Sequence, residues 1–139
     1  MDARSDQEPK SVTGLMVRSK EPVQLFDGLV VDDTNPRYSK HYTVEAFRHF
    51  NLYLKVKSTS TPTTIQFEIQ FLNRRTGLWH TMRQGIFAAL FYEDGDTAAA
   101  VYDCYSGDCA GRDFRIKVTG VGTSASAYFT VDASAEFYD

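Results

Sequence analysis

The stretch FNLYLKVKSTSTPTTIQFEIQF, Phe50 to Phe71, decides the fold class. Its two ends place large apolar side chains at every second position, and seven small, mostly hydroxylated residues separate them. Successive side chains of a β-strand point to opposite faces, so this period of two indicates two strands, each with one buried face. Pro62 lies in the connection, where its missing N–H removes no hydrogen bond from a sheet. We expect the strands to pair with each other in antiparallel fashion and to share one apolar layer, made by Phe50, Leu52, Leu54, Val56, Ile65, Phe67, Ile69 and Phe71.

The same alternation returns along the rest of the chain. VQLFDGLVV (Val23 to Val31) is apolar and rich in β-branched residues, and the turn residues of DDTNP close it. Ile86 to Tyr92 and Ala99 to Tyr105 contain alanines that suit a helix or a strand, but Gly95 among acidic residues favours two strands around a turn. The last two strands are predicted to point these residues inward: Phe114, Ile116, Val118, Phe129, Val131, Ala133, Ala135 and Phe137.

About eight short strands result, spaced roughly 8 to 12 residues apart, each with one apolar face. The only helical competitor is VEAFRHF (Val44 to Phe50), which is short and leads into a strand. This pattern predicts an all-β protein, an antiparallel β-sandwich of jelly-roll type that forms a single domain over residues 23–139. The strand order does not follow from the sequence.

Residues 1–22 are polar, contain Pro9 and Pro22, and show no sustained periodicity. We interpret them as an extended N-terminal arm that is either flexible or docks on a partner. Within the arm, SVTGLMV (Ser11 to Val17) has the composition to order against a surface. The residues expected to contact a partner are Val12, Leu15, Met16, Val17 and Arg18.

The charge and hydropathy of the chain restrict its partners. A net charge of −3 argues against nucleic-acid binding, which needs a basic face. The first residues lack the apolar core of a signal peptide, and no run approaches the roughly 18 to 20 apolar residues that span a bilayer, so we expect synthesis in a cytoplasm and no membrane partner. Residues 1–92 carry 12 Lys/Arg and 9 Asp/Glu, whereas residues 93–139 carry 3 and 9. This asymmetry suggests that complementary surfaces meet between copies of the chain, although ordinary solvation of two faces also explains it.

Cys104 and Cys109 are the only cysteines. A disulfide between them would close a small loop, but a reducing compartment favours two free thiols. The histidines His41, His49 and His80 are scattered, and no metal-binding motif is present, so a zinc site with the cysteines has no support. We expect no metal and no cofactor.

Catalytic motifs are likewise missing from the sequence. The string GVGTSAS lacks the closing glycine of a nucleophile elbow. Glu68 and Glu93 are the carboxylates to consider for glycoside hydrolysis, but Glu68 lies on the solvent face of a well-patterned strand, where a charge is expected anyway. EDGDT (Glu93 to Thr97) lacks the ligand order of a calcium loop. We therefore expect a protein that is not an enzyme.

Tyrosine is abundant, and many of its positions fall on the predicted outer faces. A tyrosine ring offers a flat amphipathic surface at low entropic cost, which suits sugar stacking and protein interfaces. Tyr53, Trp79 and Tyr105 are the candidate exposed aromatic contacts. They support an alternative function, a lectin-like carbohydrate-binding sandwich, against the plainer interpretation that the rings cover sheet edges. The tyrosines predicted to face outward are Tyr38, Tyr42, Tyr53, Tyr92, Tyr102, Tyr105 and Tyr128.

An arm, a compact acidic sandwich and polar Ser/Thr loops, notably in FNLYLKVKSTSTPTTIQFEIQF and FRIKVTGVGTSASAYFTV, are the organisation of small virion proteins of tailed bacteriophages. In this respect the chain resembles capsid decoration, or cement, proteins. The resemblance implies a homotrimer on the capsid exterior that binds the major capsid protein at local threefold axes, with the arm crossing neighbouring subunits. Another virion component, in the tail, neck or baseplate, is the second possibility within this group.

Overall fold

The computed structural model describes residues 15–16, 22–59, 64–83, 90–93 and 99–139. All regular structure in these ranges is β, and none of the described residues forms a helix that is long and apolar enough to cross a membrane. The strands are β1 (Leu15–Met16), β2 (Val23–Val31), β3 (Arg37–Tyr38), β4 (Tyr42–Thr43), β5 (His49–Ser58), β6 (Thr64–Asn73), β7 (Leu78–Thr81), β8 (Leu90–Glu93), β9 (Val101–Asp108), β10 (Asp113–Val121) and β11 (Phe129–Tyr138).

The strands form two packed sheets, which confirms the predicted all-β antiparallel sandwich. Sheet A has the order β1-β4-β10-β6-β7; β3 also pairs with β10, and β8 also pairs with β6. Sheet B has the order β2-β11-β5-β9. Every pairing is antiparallel except that of β1 with β4, which is parallel.

The chain path is that of a jelly roll. Along the chain, β2 lies in sheet B, β4 in sheet A, β5 in sheet B and β6 with β8 in sheet A, followed by β9, β10 and β11, which lie in sheets B, A and B. The resulting orders, β2-β11-β5-β9 and β4-β10-β6-β8, are those of an eight-stranded jelly roll, an architecture found in viral capsid and lectin domains.

The predicted hairpin of Phe50 to Phe71 is wrong. Strand β5 pairs with β11 and β9 in sheet B, whereas β6 pairs with β10, β7 and β8 in sheet A. The apolar faces of the two strands do share one layer, but they contribute to it from opposite sheets. The same correction applies to the expected strand pair around EDGD, since β8 lies in sheet A and β9 in sheet B; residues 84–89 and 94–98 lie outside the described ranges.

One core fills the space between the sheets, and the predicted inward faces are confirmed. Phe114 of sheet A contacts Phe50 and Phe137 of sheet B, with ring centroids 5.5 and 5.1 Å apart, so aromatic contacts join the two layers. Within the described ranges, the core residues run from Leu25 to Phe137. Its fully buried side chains include Phe50, Leu52, Val56, Ile65, Phe67, Ile69, Phe114, Ile116, Phe129 and Phe137.

The segment Val44 to Phe50, the only helical competitor in the sequence, contains a turn and the start of β5. The basic and acidic parts of the chain do not segregate, because β10 lies between β4 and β6, and β9 and β11 flank β5. Arg74 of the basic part, for example, contacts Asp113 of the acidic part within one molecule, with Nε 2.5 Å from Oδ2. The meeting of complementary surfaces between copies stays a prediction.

Candidate functional site

The outer face of sheet A carries a stack of aromatic and cationic side chains. The Arg115 guanidinium lies 4.2 Å from the ring centroid of Tyr38 and 4.2 Å from that of Trp79, and its Nε donates to Oε1 of Gln70 at 2.9 Å. The His41 ring packs edge-on against Trp79 with centroids 5.5 Å apart. These groups contact one another, so the stack joins neighbouring strands, while the ring of Tyr38 stays partly exposed.

Glu68 belongs to this face and is also engaged. Its carboxylate accepts a hydrogen bond from the Thr81 hydroxyl at 2.8 Å and lies 3.8 Å from Nζ of Lys117. Glu93 pairs through its backbone with Thr64 at the far end of β6, and its side chain lies outside the described part. The two carboxylates considered for glycoside hydrolysis thus belong to neighbouring strands: Glu68 lies on β6 opposite Lys117, and Glu93 lies on β8 opposite Thr64. Glu68 is on the outer face of its strand, as expected.

The outer face of sheet B, in contrast, is open and forms a groove of ≈ 340 Å³ across all four strands. The register of β5 with its two neighbours brings the lining residues together, because Tyr53 of β5 lies opposite Ser134 of β11 and Cys104 of β9. One step further along, Lys55 lies opposite Asp132 and Tyr102. We call this feature the sheet B groove; its lining includes Gln24, Tyr53, Lys55, Tyr102, Cys104, Asp132 and Ser134.

A hydrogen-bond network fixes one wall of the sheet B groove. The Tyr53 hydroxyl donates to Oε1 of Glu136 at 3.1 Å, and the same oxygen accepts a hydrogen bond from Nδ2 of Asn51 at 3.1 Å. Ser106 in turn donates to Oδ1 of Asn51 at 2.6 Å. The hydrogen bond to Glu136 raises the pKa of Tyr53, which favours the protonated hydroxyl that donates this bond.

A β-bulge positions the acidic side chain of the groove. The register between β2 and β11 shifts near Ala133, and Gly28 of β2 has a positive φ of 65°, a conformation that glycine adopts at no steric cost. Its N–H donates to Oδ1 of Asp132 at 2.7 Å. Because of this contact, the Asp132 carboxylate is held beside the groove with its other oxygen available to a further donor.

The lysine and the second tyrosine of the groove are close enough to interact. Nζ of Lys55 lies 5.7 Å from the ring centroid of Tyr102, a distance at which a cation and an aromatic face attract each other. The Tyr102 side chain remains 71% exposed. The groove therefore combines two aromatic rings with amide, hydroxyl, ammonium and carboxylate groups in one continuous surface.

The three aromatic contacts predicted from the sequence have different locations. Tyr53 is exposed and lines the sheet B groove, whereas Trp79 is half-buried against Arg115 on the opposite face of the sandwich. Tyr105 does not have the predicted exposed position: it packs against the core from the inner side of β9, and its hydroxyl donates to Asp103 at 3.3 Å. Because β9 alternates, the exposed tyrosine of that strand is Tyr102, whose position three residues before Tyr105 places it on the opposite face.

Tyr42 was also predicted to face outward but is buried. It pairs with Phe114 across β4 and β10 and so points to the inner side of sheet A. Its hydroxyl reaches the backbone oxygen of Gln24 at 2.9 Å, and burial raises its pKa. A short strand such as β4 has too few residues for its period to be recognised from the sequence.

Cys104 and Cys109 are free thiols, so the disulfide that would close a small loop is not formed. Residues 104 to 108 are extended along β9, which separates their ends by about 13 Å, and a disulfide needs Cα atoms within about 7 Å. Cys104 faces outward into the groove, whereas Cys109 packs against the core, where burial raises the pKa of its thiol to about 12. Among the described residues, no cluster of His, Cys, Asp and Glu is arranged to hold a metal ion.

The predicted contact residues of the arm are described only in part. Leu15 and Met16 form β1, which adds in parallel to the edge of sheet A with Leu15 beside Tyr42 and Met16 beside Thr43. Val12, Val17 and Arg18 lie outside the described residues.

Comparison with known proteins gives no match: neither a protein-family model nor a curated protein sequence matches this chain.

Proposed function

We propose that this chain is a non-enzymatic structural protein of a tailed-phage virion, which binds the major capsid protein on the outside of the assembled capsid. The observation that supports this proposal is that Leu15–Met16 of the arm forms a strand, which here adds in parallel to the edge of sheet A of its own chain. Strand addition works through main-chain hydrogen bonds, so it lets an N-terminal segment dock on a sheet edge with few demands on side chains. Among the described residues the core runs from Leu25 to Phe137, so the strands that follow the arm bury a large apolar interior between them.

The jelly-roll order is compatible with this role, because viral capsid domains use the same architecture. In the proposed mechanism the sandwich binds the assembled shell and not the free capsid subunit. Binding to one state alone lowers the free energy of that state by mass action, so the shell resists disassembly. We propose a homotrimer because three copies around one capsid axis add their contacts, which raises the overall avidity.

Co-sedimentation with emptied capsids of the phage that encodes the chain tests the proposal. We expect the full-length chain to pellet with capsids, and a chain that begins at Pro22 to remain in the supernatant while its far-UV circular dichroism stays that of a β-sandwich. Equal pelleting of the truncated chain would show that the arm does not carry the attachment.

A point variant separates the docked pair from the rest of the arm. Proline at position 16, Met16→Pro, removes one backbone N–H from β1 and keeps the length and charge of the arm. We expect it to weaken capsid binding, whereas Gln7→Pro, in the first part of the arm, serves as the matched proline control. Failure of the full-length chain to pellet at any protein concentration would refute the capsid role itself.

A further inference from the structure

The sheet B groove has the size and form of a ligand site. Its volume of ≈ 340 Å³ lies in the range of small-molecule sites, which begins at about 300 Å³. The backbone of its floor strands, β5 and β11, is already paired on both sides, so the groove cannot accept an added peptide strand through main-chain hydrogen bonds. Recognition at this surface must therefore come from side chains.

The side chains of the groove specify a neutral and strongly hydrogen-bonding ligand. Lys55 and Asp132 lie directly opposite each other, and Glu136 stands behind Tyr53, so an anionic ligand meets two carboxylates for one ammonium. A purely apolar ligand would leave these polar groups without hydrogen-bond partners. The Gln24 amide nitrogen donates to the backbone oxygen of Phe26 at 2.7 Å, which leaves its carbonyl oxygen as an acceptor. This oxygen, the Ser134 hydroxyl and the second oxygen of Asp132 are groups that a polyhydroxylated molecule can satisfy.

The tyrosines supply aromatic surface for the apolar face of a sugar ring. A pyranose ring has an apolar C–H face that packs on an aromatic ring and equatorial hydroxyls that reach sideways to polar groups. Tyr53 is held by Glu136, and Tyr102 lies on the neighbouring strand, two residues before the residue opposite Tyr53, and is mostly exposed. Both rings therefore lie on the outer face of sheet B and line the same groove. Fixing Tyr53 before the ligand arrives lowers the ordering cost of binding.

We propose that the sheet B groove is a carbohydrate-binding site that takes a neutral oligosaccharide, with sugar rings packed on Tyr53 and Tyr102 and hydroxyls bonded to Gln24, Ser134 and Asp132. This site lies on the face opposite the sheet that carries the docked arm. Glycan binding therefore does not rest on the capsid role, and either activity can fail without the other. A chain attached to a capsid through its arm would carry the groove on sheet B, on the face opposite the arm.

The experiment is a glycan array of neutral and sulfated oligosaccharides probed with the dye-labelled full-length chain, followed by titration of the best neutral hexasaccharide by calorimetry. We expect Tyr102→Ala to weaken binding at least about tenfold, the usual cost of removing a central aromatic contact. Tyr53→Phe, which keeps the ring, should weaken it less than Tyr53→Ala. Tyr38→Ala, which removes an exposed tyrosine from the other sheet, is the matched control and should bind like the wild type.

Two further measurements keep the test decisive. Ser134→Gln places a larger neutral side chain on the groove floor and should block binding with both tyrosines in place. The bound hexasaccharide should also slow alkylation of Cys104, which lines the groove. No Tyr102-dependent signal for any neutral oligosaccharide, or signals limited to sulfated glycans and lost in salt, would overturn the proposal.

Discussion

Asp113 is a carboxylate with no solvent exposure, and its neighbours explain how the fold tolerates it. Arg74, in the turn after β6, reaches it with Nε at 2.5 Å from Oδ2 and Nη2 at 3.0 Å from Oδ1, while the Thr43 hydroxyl donates to Oδ1 at 3.2 Å. The hydrogen bond to Asp113 also raises the pKa of Arg74, so the guanidinium keeps its charge. One side chain thereby ties the turn, β10 and β4 together.

We predict that Arg74→Met lowers the free energy of unfolding by about 3 kcal/mol, because it leaves a buried carboxylate without its cation. Arg75→Met is the matched control, since Arg75 is exposed and the cost there should stay below about 0.5 kcal/mol. Urea denaturation measures both. Equal values for the two variants would mean that the contact of Arg74 with Asp113 adds nothing to stability.

The two cysteines should differ in reactivity because only a thiolate attacks an alkylating reagent. With its pKa raised to about 12 by burial and by the nearby Asp108, Cys109 stays protonated, whereas Cys104 is exposed on β9. We expect iodoacetamide at about pH 8 to add one group to the native chain, at Cys104, and two groups in urea. The variant Cys104→Ser should take up none in the native state; rapid native labelling of that variant would contradict the buried position of Cys109.

The raised pKa of Cys109 also predicts a pH dependence. The unfolded thiol releases its proton near pH 9, whereas the folded thiol keeps it to about pH 12. Stability from this group is therefore full below pH 9 and declines as the pH rises through this window. We expect the free energy of unfolding to fall less steeply between pH 9 and 11 in Cys109→Ala than in the wild type; parallel curves would contradict the shift.

Arg115 connects strands at the element scale. Its guanidinium stands between Tyr38 of β3 and Trp79 of β7, and its Nε bonds Gln70 of β6, so one side chain on β10 contacts three other strands. A planar guanidinium can stack on both rings, whereas an ammonium is a point charge that cannot.

We therefore predict that Arg115→Lys costs about 1–2 kcal/mol of stability and changes the emission of Trp79, the only tryptophan of the chain. Lys117→Arg is the matched control, because it exchanges the same two residue types one step along the same face of β10. The control should leave both the emission and the urea midpoint near their wild-type values. An unchanged emission in Arg115→Lys would show that the stack does not persist in solution.

The strands show which information the sequence holds. Period two identified the buried faces of β5, β6, β10 and β11 because burial acts on each residue separately. The same period does not identify the partner of β5. The sequence of residues 59–63 is compatible with a hairpin and with a crossing to the other sheet, and β6 lies in the other sheet.

The candidate site was even less accessible from the sequence. Tyr53 meets Ser134 and Cys104 only through the register of three strands that are distant in the chain, so no local pattern marks the groove. Tyr102 and Tyr105 are three residues apart on β9, so they lie on opposite faces of the strand. Which of the two faces outward depends on how β9 pairs in sheet B, and no turn signal directly before Val101 indicates that register.

At the scale of the whole molecule, the two sheets share one core, and this has a consequence for unfolding. Aromatic contacts such as Phe114 with Phe137 join the layers, and successive principal strands mostly alternate between them, so the described strands of both sheets bury their apolar faces in the same core. Opening one sheet exposes the buried face of the other. A single domain of this size is expected to unfold as one cooperative unit.

Each sheet carries a natural position for a probe of this cooperativity. Trp79 reports on sheet A, and a maleimide dye on Cys104 in the Cys109→Ser background reports on sheet B. We predict that both signals, and far-UV circular dichroism, show the same urea midpoint and the same slope, because the shared core leaves no state in which one sheet persists alone. The dye-free Cys109→Ser variant, followed through Trp79, controls for the label. Two separated midpoints would mean that the sheets unfold independently, and the single core between them would then not be the main source of stability.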